Sequence, residues 1–294
     1  MNLANGNRPN IFSICLITWV EKTEFEDVRK GSGKIYEKRV KFMDRKFLNQ
    51  DKPMLTVMLE CSTPEMAIGR IRNANCLGAE AYGLQVESLR PEYHTPEVYR
   101  RLFDEMQGRP SYVTYYGFKE NEGKTYEELA EGMLVLAECG ATLCDVMGDM
   151  FCAHPEQMTD NPDAIRRQME YIDKLHDIGA QVIMSSHLEK YTPAERILEI
   201  AREQKRRGAD IIKIVTVSDN MEQQIENLKI IDLLKCELGA PFLFLSGGEC
   251  TLHRRLGMML GCCMSLCVYE HDAYSHPVQP LLSTMKTIRD CMDF

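Results

Sequence analysis

"GADIIKIVTV", residues 208–217, decides the fold. A Gly-Ala pair closes one element, and an unbroken aliphatic, β-branched run opens the next. Glycine just past a helix end supplies the left-handed residue that stops the helix. The same signal occurs at Gly78-Ala79 before "EAYGLQV", Gly140-Ala141 before "TLCDVM", Gly179-Ala180 before "QVIMSS" and Gly239-Ala240 before "PFLFLS". The intervals are about 30 residues or longer, and one helix plus one strand needs about 30. Apolar runs fall at about 54–59, 82–87, 111–116, 142–147, 181–186, 211–217, 241–246 and 264–269. Amphipathic stretches such as "TYEELAEGMLVLAEC" separate them. Continuous apolar strands alternating with helices mean a parallel sheet covered on its outer face. Eight units predict an α/β fold of the closed (β/α)8 barrel, or TIM barrel, type. An open doubly wound sheet is the runner-up, but it calls for a glycine-rich first turn, and "LECSTPEM" has none.

Helix starts are marked as clearly as helix ends. "STPE" at 62, "HTPE" at 94 and "YTPAE" at 191 place Thr before Pro with an acid following, the pattern of an N-cap with proline in the first turn. Thr192 and Glu195 have capping-box spacing, as do Thr125 and Glu128 in "TYEE", and Asn161 in "NPDA" is a further cap. Residues 1–50 differ. "IFSICLITWV" and "KIYEKRVKF" flank the turn "RKGSGK", which predicts a β-hairpin extension over 1–50 capping the floor of a catalytic barrel over 51–294.

Composition narrows the function. The chain of 294 residues carries 44 acidic and 35 basic side chains, a formal charge of −9. It has no basic run interleaved with aromatics, so nucleic acid is not expected as a partner. It has no apolar run long enough to span a bilayer, so no membrane partner is expected. The N-terminus lacks the pattern of a secretory signal. Its 12 cysteines are irregularly spaced and form no CxxC pair, which fits free thiols in a reducing cytoplasm. Asp145, Asp149, Cys152 and His154, with His271, Asp272 and His276, are polar candidates for a metal, but their spacing matches no metal motif; no metal and no cofactor is expected.

Lys213 is the anomaly in the opening stretch. A lysine is almost never fully buried without a reason. One reading is an edge lysine whose stem packs on apolar surface while its amine reaches water. The other is a desolvated amine, which loses its proton more readily and attacks carbonyls. His187, at the end of the preceding apolar run, stands on the adjacent strand, and imine chemistry needs proton transfers that histidine performs near neutral pH.

At these residues the chain resembles the type I 3-dehydroquinate dehydratases. "VIMSSHLEKYTP" resembles the family's fifth strand and "IIKIVTV" its sixth, which implies His187 and Lys213 as the catalytic histidine and Schiff-base lysine. "YSHPVQ" resembles the family's Ser-x-Pro-x-Gln loop and implies Ser275 and Gln279 as substrate contacts. "LHRRLGMMLG" resembles the segment with a substrate-binding arginine. Reading backward from Gly257 and Gly261 selects Arg254; reading forward from Ser246 selects Arg255; Arg254 is favoured. The resemblance covers roughly residues 52–294 and is most specific in the second half. It implies a metal-free hydro-lyase of the shikimate pathway, acting on a keto-hydroxy acid, and a homodimer of the kind common in the family. The departures lie in the first half. Where the family has Glu-x-Arg on the second strand, "YGLQVES" offers Gln85 and Glu87. Where it has an arginine after the third, "VTYYGF" offers Tyr116. Where it has Asp-x-Glu on the fourth, "CDVMGD" offers Asp145 and Met147. A class I aldolase sharing the imine, or a non-catalytic metabolite-binding relative, are the alternatives.

Overall fold

The computed structural model of the protein describes Phe47 and residues 52–249 and 252–291. Eight parallel strands run in sequence: β1 Met54–Leu59, β2 Ala81–Gln85, β3 Ser111–Thr114, β4 Leu143–Met147, β5 Gln181–His187, β6 Ile211–Ser218, β7 Phe242–Gly248 and β8 Met264–Cys267. Ladders join every consecutive pair from β1 to β7, and β8 pairs with β1. Between β7 and β8 there is no ladder. The barrel is closed there by the Cys263 amide donating to the Phe242 carbonyl at 2.9 Å. This order is that of a barrel and excludes the doubly wound alternative, whose strand order reverses at a switch point.

Among the described residues, eight α-helices follow the strands: α1 Pro64–Cys76, α2 Pro96–Glu105, α3 Tyr126–Cys139, α4 Pro162–Ile178, α5 Ala194–Arg206, α6 Met221–Glu237, α7 Leu252–Leu260 and α8 Leu282–Asp290. Thr63, Thr95 and Asn161 accept from first-turn amides, and Thr125 and Glu128 form a reciprocal capping box. Each such cap contributes about 1 kcal/mol. The capping box read at Thr192 does not form. Pro193 occupies the N-cap of α5, and the Thr192 hydroxyl turns back to donate to the Lys190 carbonyl at 3.2 Å. The helix begins one residue later than the spacing implied, so Thr192 lies outside its reach. All five glycines of the Gly-Ala pairs have positive φ, from +57° at Gly239 to +121° at Gly140.

In "GCCMSLCV", residues 261–268, Cys262 and Cys267 are buried in the core, and the cysteines among the described residues are free thiols. The hairpin read over residues 1–50 lies outside the described residues except for Phe47. Phe47 is buried, and its amide donates to the side chain of Gln181 at the start of β5. No helix among the described residues is long and apolar enough to cross a membrane.

Candidate active site

Side chains alternate along a strand, so residues two apart share a face. Three strands use this to build two tiers inside the barrel. Asp145 of β4, Ser185 of β5 and Lys213 of β6 meet in a closed polar cluster, while Met147, His187 and Val215, two residues further along, line a cavity above it. The open end is the C-terminal end of the strands, where barrel chemistry sits. Lys213 belongs to both tiers, since it also lines the cavity.

Lys213 is 4 % exposed, and its amine lies inside the barrel. It donates to Tyr112 Oη at 2.8 Å, Tyr116 Oη at 3.1 Å and Asp145 Oδ2 at 3.0 Å, which satisfies its three protons. Both tyrosines in turn donate to Asp145 Oδ2, at 2.5 and 2.7 Å, and Ser185 Oγ donates to Asp145 Oδ1 at 2.5 Å. The snorkelling reading is therefore excluded. The expectation of a bare, desolvated amine also needs correcting, because the buried nitrogen is paired with a buried carboxylate. Burial alone would raise the Asp145 pKa, but the Lys213 charge and the three hydroxyl donors outweigh it and hold the carboxyl below its ordinary range. Burial and the Asp145 charge push both tyrosines well above theirs, so they remain hydrogen-bond donors.

His187 stands on the neighbouring strand. Register pairs Ser185 with Lys213 and His187 with Val215, so the imidazole lies one strand across and two residues up, roughly 7 Å along the strand direction. Its ring Nδ1 and its own backbone amide both meet Gln157 Oε1, at 2.8 and 2.9 Å. An amide oxygen only accepts, so Nδ1 carries the proton and Nε2 is left with a lone pair. Burial, then the charges of Lys213 and Arg254, lower the His187 pKa to about 3. The ring is thus neutral at every ordinary pH.

Gln157 gave no sign of itself in the sequence. It sits in the loop after β4 with φ +43°, where no periodicity marks it. The loop is pinned from beneath. The buried Arg207 guanidinium donates to the carbonyls of Gly148 at 3.0 Å and Thr159 at 2.6 Å. The loop also needs glycine at its exit from β4, because a Cβ on Gly148 would lie 2.5 Å from the Gln157 carbonyl oxygen. Gln157→Ala is expected to release the imidazole and mix its tautomers, because the acceptor that holds Nδ1–H is removed. Ring ¹⁵N shifts at pH 7 would report the tautomer directly; an unchanged spectrum would show that Gln157 does not set it.

The other residues singled out in the sequence are not all brought together. Gln85, Tyr116, Arg254 and Gln279 line the same cavity of about 330 Å³ as Lys213 and His187. Arg255 is not among its lining residues. Ser275 lies instead beside a small neighbouring crevice, where its hydroxyl exchanges hydrogen bonds with the backbone of Asp272. Asp272 is itself ion-paired with Arg70.

Glu87 does not face the cavity. The strand ends at Gln85, and a short 3₁₀ turn over Val86–Ser88 carries Glu87 behind Thr114, whose hydroxyl meets both carboxylate oxygens at 2.9 Å. Burial raises its pKa to about 7. A carboxyl raised in the fold binds more protons folded than unfolded across pH 4.5 to 7, so stability falls as pH rises through that window. Glu87→Gln is expected to remove this fall, worth on the order of 3 kcal/mol, as read by urea denaturation at pH 5 and pH 8. An equal loss in both proteins would count against a protonated Glu87.

The acidic and histidine loops do not gather into one cluster. Asp145 faces Lys213, whereas the Asp149 carboxylate accepts from the His154 amide. Among the described residues, no group of three or more His, Cys, Asp or Glu side chains is placed to hold a metal.

A model of the family described as type I 3-dehydroquinase matches residues 56–293. No curated protein matches the chain. Among solved structures it is similar to 3-dehydroquinate dehydratase from Geobacillus kaustophilus, at 15% identity and TM-score 0.70, covering 83% of this chain and 92% of that one. The type I enzyme from Clostridium difficile gives 14% identity and TM-score 0.69, covering 83% and 93%. The enzyme from Aquifex aeolicus gives 19% identity and TM-score 0.62, covering 81% and 97%.

Proposed function

Because the chain belongs to the type I 3-dehydroquinase family, we propose that it is a lyase eliminating water from a keto-hydroxy acid through an imine on Lys213. The observation that carries this is the Lys213 nitrogen, buried inside the barrel and lining the same cavity as His187.

Two protons of the Lys213 ammonium pass, relayed by His187, to the ketone oxygen as the nitrogen attacks and the carbinolamine forms; that oxygen then leaves as water, and a protonated imine remains. That cation carries the charge Asp145 already neutralises in the resting site, so the pair persists while the electron sink is made. The neighbouring carbon is acidified, and His187 Nε2 is the group placed to take its proton. The depressed basicity of His187 has three causes, and a substrate carboxylate beside Arg254 cancels one of them. The β-hydroxyl then leaves with the proton held by His187. Water hydrolyses the conjugated imine, and Lys213 returns to its three partners. Arg254 is the substrate-anchoring arginine in this reading. Its Nε donates to the Ser246 carbonyl at 3.1 Å, fixing the guanidinium over the cavity. A planar guanidinium suits a carboxylate.

Borohydride reduction in the presence of candidate keto acids, followed by intact mass and peptide mapping, tests the proposal. Adduct on Lys213 together with dehydrated product is expected. Product formed without any reducible adduct would rule out the imine.

A further inference from the structure

We propose that the substrate is a ketone bearing one carboxylate and its leaving hydroxyl on an otherwise apolar body, not a polyhydroxylated acid; this rests on the cavity being the substrate site of the lyase above. Two features of the wall converge on it.

The first is charge. Among the described residues no Asp or Glu lines the cavity. Its two cations are Lys213 and Arg254. Lys213 is balanced by Asp145 beneath it, whereas no carboxylate is ion-paired with Arg254 among the described residues. The lining histidines, His187 and His276, are both driven toward the neutral form, first by burial. Among the described residues, one positive charge is left without a carboxylate partner, and that asks for one anionic group on the ligand.

The second is the apolar surface. Met58, Phe118, Met147, Val215, Leu245 and Leu266 come from six different strands or strand ends and surround the cavity. Of the polar groups on the β3 to β6 side, Lys213, Tyr112 and Tyr116 bond within the Asp145 cluster, and Gln157 bonds His187. Ring hydroxyls placed against this wall would lose their hydrogen bonds to water and find methionine and leucine instead. Each such hydroxyl costs on the order of tenfold to a hundredfold in binding. A six-membered ring with one carboxylate and one ketone is small enough for a cavity of about 330 Å³, and Gln85 at the end of β2 and Gln279 after β8 are the lining amides that face its leaving hydroxyl.

The test compares two ring acids that need no imine. Calorimetry at pH 7 is expected to show cyclohexanecarboxylate binding at least about tenfold tighter than quinate, the same ring acid bearing hydroxyls, with that binding lost at least about tenfold in Arg254→Met. Equal or tighter binding of quinate, or no binding of either acid, overturns the inference. Borohydride trapping separates this from the reading it rests on. If 3-oxocyclohexanecarboxylate leaves no adduct on Lys213 while the calorimetric preference holds, the imine fails and the ligand class stands. If 3-dehydroquinate is trapped at lower concentration than 3-oxocyclohexanecarboxylate, the ligand class fails and the imine stands.

Discussion

Lys213→Ala is expected to abolish turnover and all borohydride-trappable mass, and to cost about 3–5 kcal/mol of folding stability. The first effect follows from chemistry. No other amine lines the cavity among the described residues, and a neighbouring side chain cannot form the imine in its place. The second follows from burial. Removing the ammonium strands the Asp145 carboxylate, whose side chain is fully enclosed, with only hydroxyl donors to balance its charge. Adding Asp145→Asn to Lys213→Met should recover much of the lost stability, since a neutral pair leaves no uncompensated ion. Intact mass after reduction and urea denaturation at pH 7 are the readouts. Residual turnover in Lys213→Ala would refute the covalent role, and unchanged stability would refute a charged pair.

Asp145→Ala is the second large effect. It removes the common acceptor of Tyr112, Tyr116, Ser185 and Lys213 in one step. A loss of about 3–5 kcal/mol is again expected, together with a fall in the yield of trapped adduct, because the imine cation loses the carboxylate that stabilises it. The pH dependence gives a signature. The Asp145 pKa is held below its unfolded value near 3.8. Its contribution is therefore fully present above that value and lost as pH falls through the folded one. His187, lowered to about 3, acts in the same direction. Between pH 6.5 and 3 the unfolded chain binds a proton that the folded ring does not, so stability rises with pH there. Wild type should lose stability steeply on acidification, and Asp145→Ala should show a shallower acid limb below about pH 4. Parallel acid limbs in the two proteins would argue that Asp145 is not the titrating group.

What could be read ahead of the coordinates divides along physical lines. The strands were legible because runs buried on both faces need no polar alternation, and the Gly-Ala stops set their spacing. Lys213 was legible because a charge inside such a run has to be accounted for. Its partners were not. Tyr112 reads as one more aromatic strand residue, and only closure of the sheet brings β3 across the barrel to β6. The choice between Arg254 and Arg255 depends on helical phase, since adjacent residues on a helix point about 100° apart. Glu87 was misplaced because the strand stops two residues early, and a 3₁₀ turn sends its side chain behind the wall. Gln157 lies 30 residues from the ring it holds, on a loop whose course is set by a buried arginine and a glycine rather than by any pattern.

The missing ladder between β7 and β8 also bears on motion. Among the described residues, seven junctions of the barrel carry ladders, whereas this one is held by a hydrogen bond from the Cys263 amide at its lower end and bridged on the outside by α7. Regions with few backbone bonds open at lower free energy than the rest of a fold. That seam is therefore expected to open before the stitched junctions, and α7 is the helix that carries Arg254. On the roles proposed for Arg254 and Lys213, opening there would separate the anion anchor from the nucleophile on β6 and make the seam the expected route for a rigid ring.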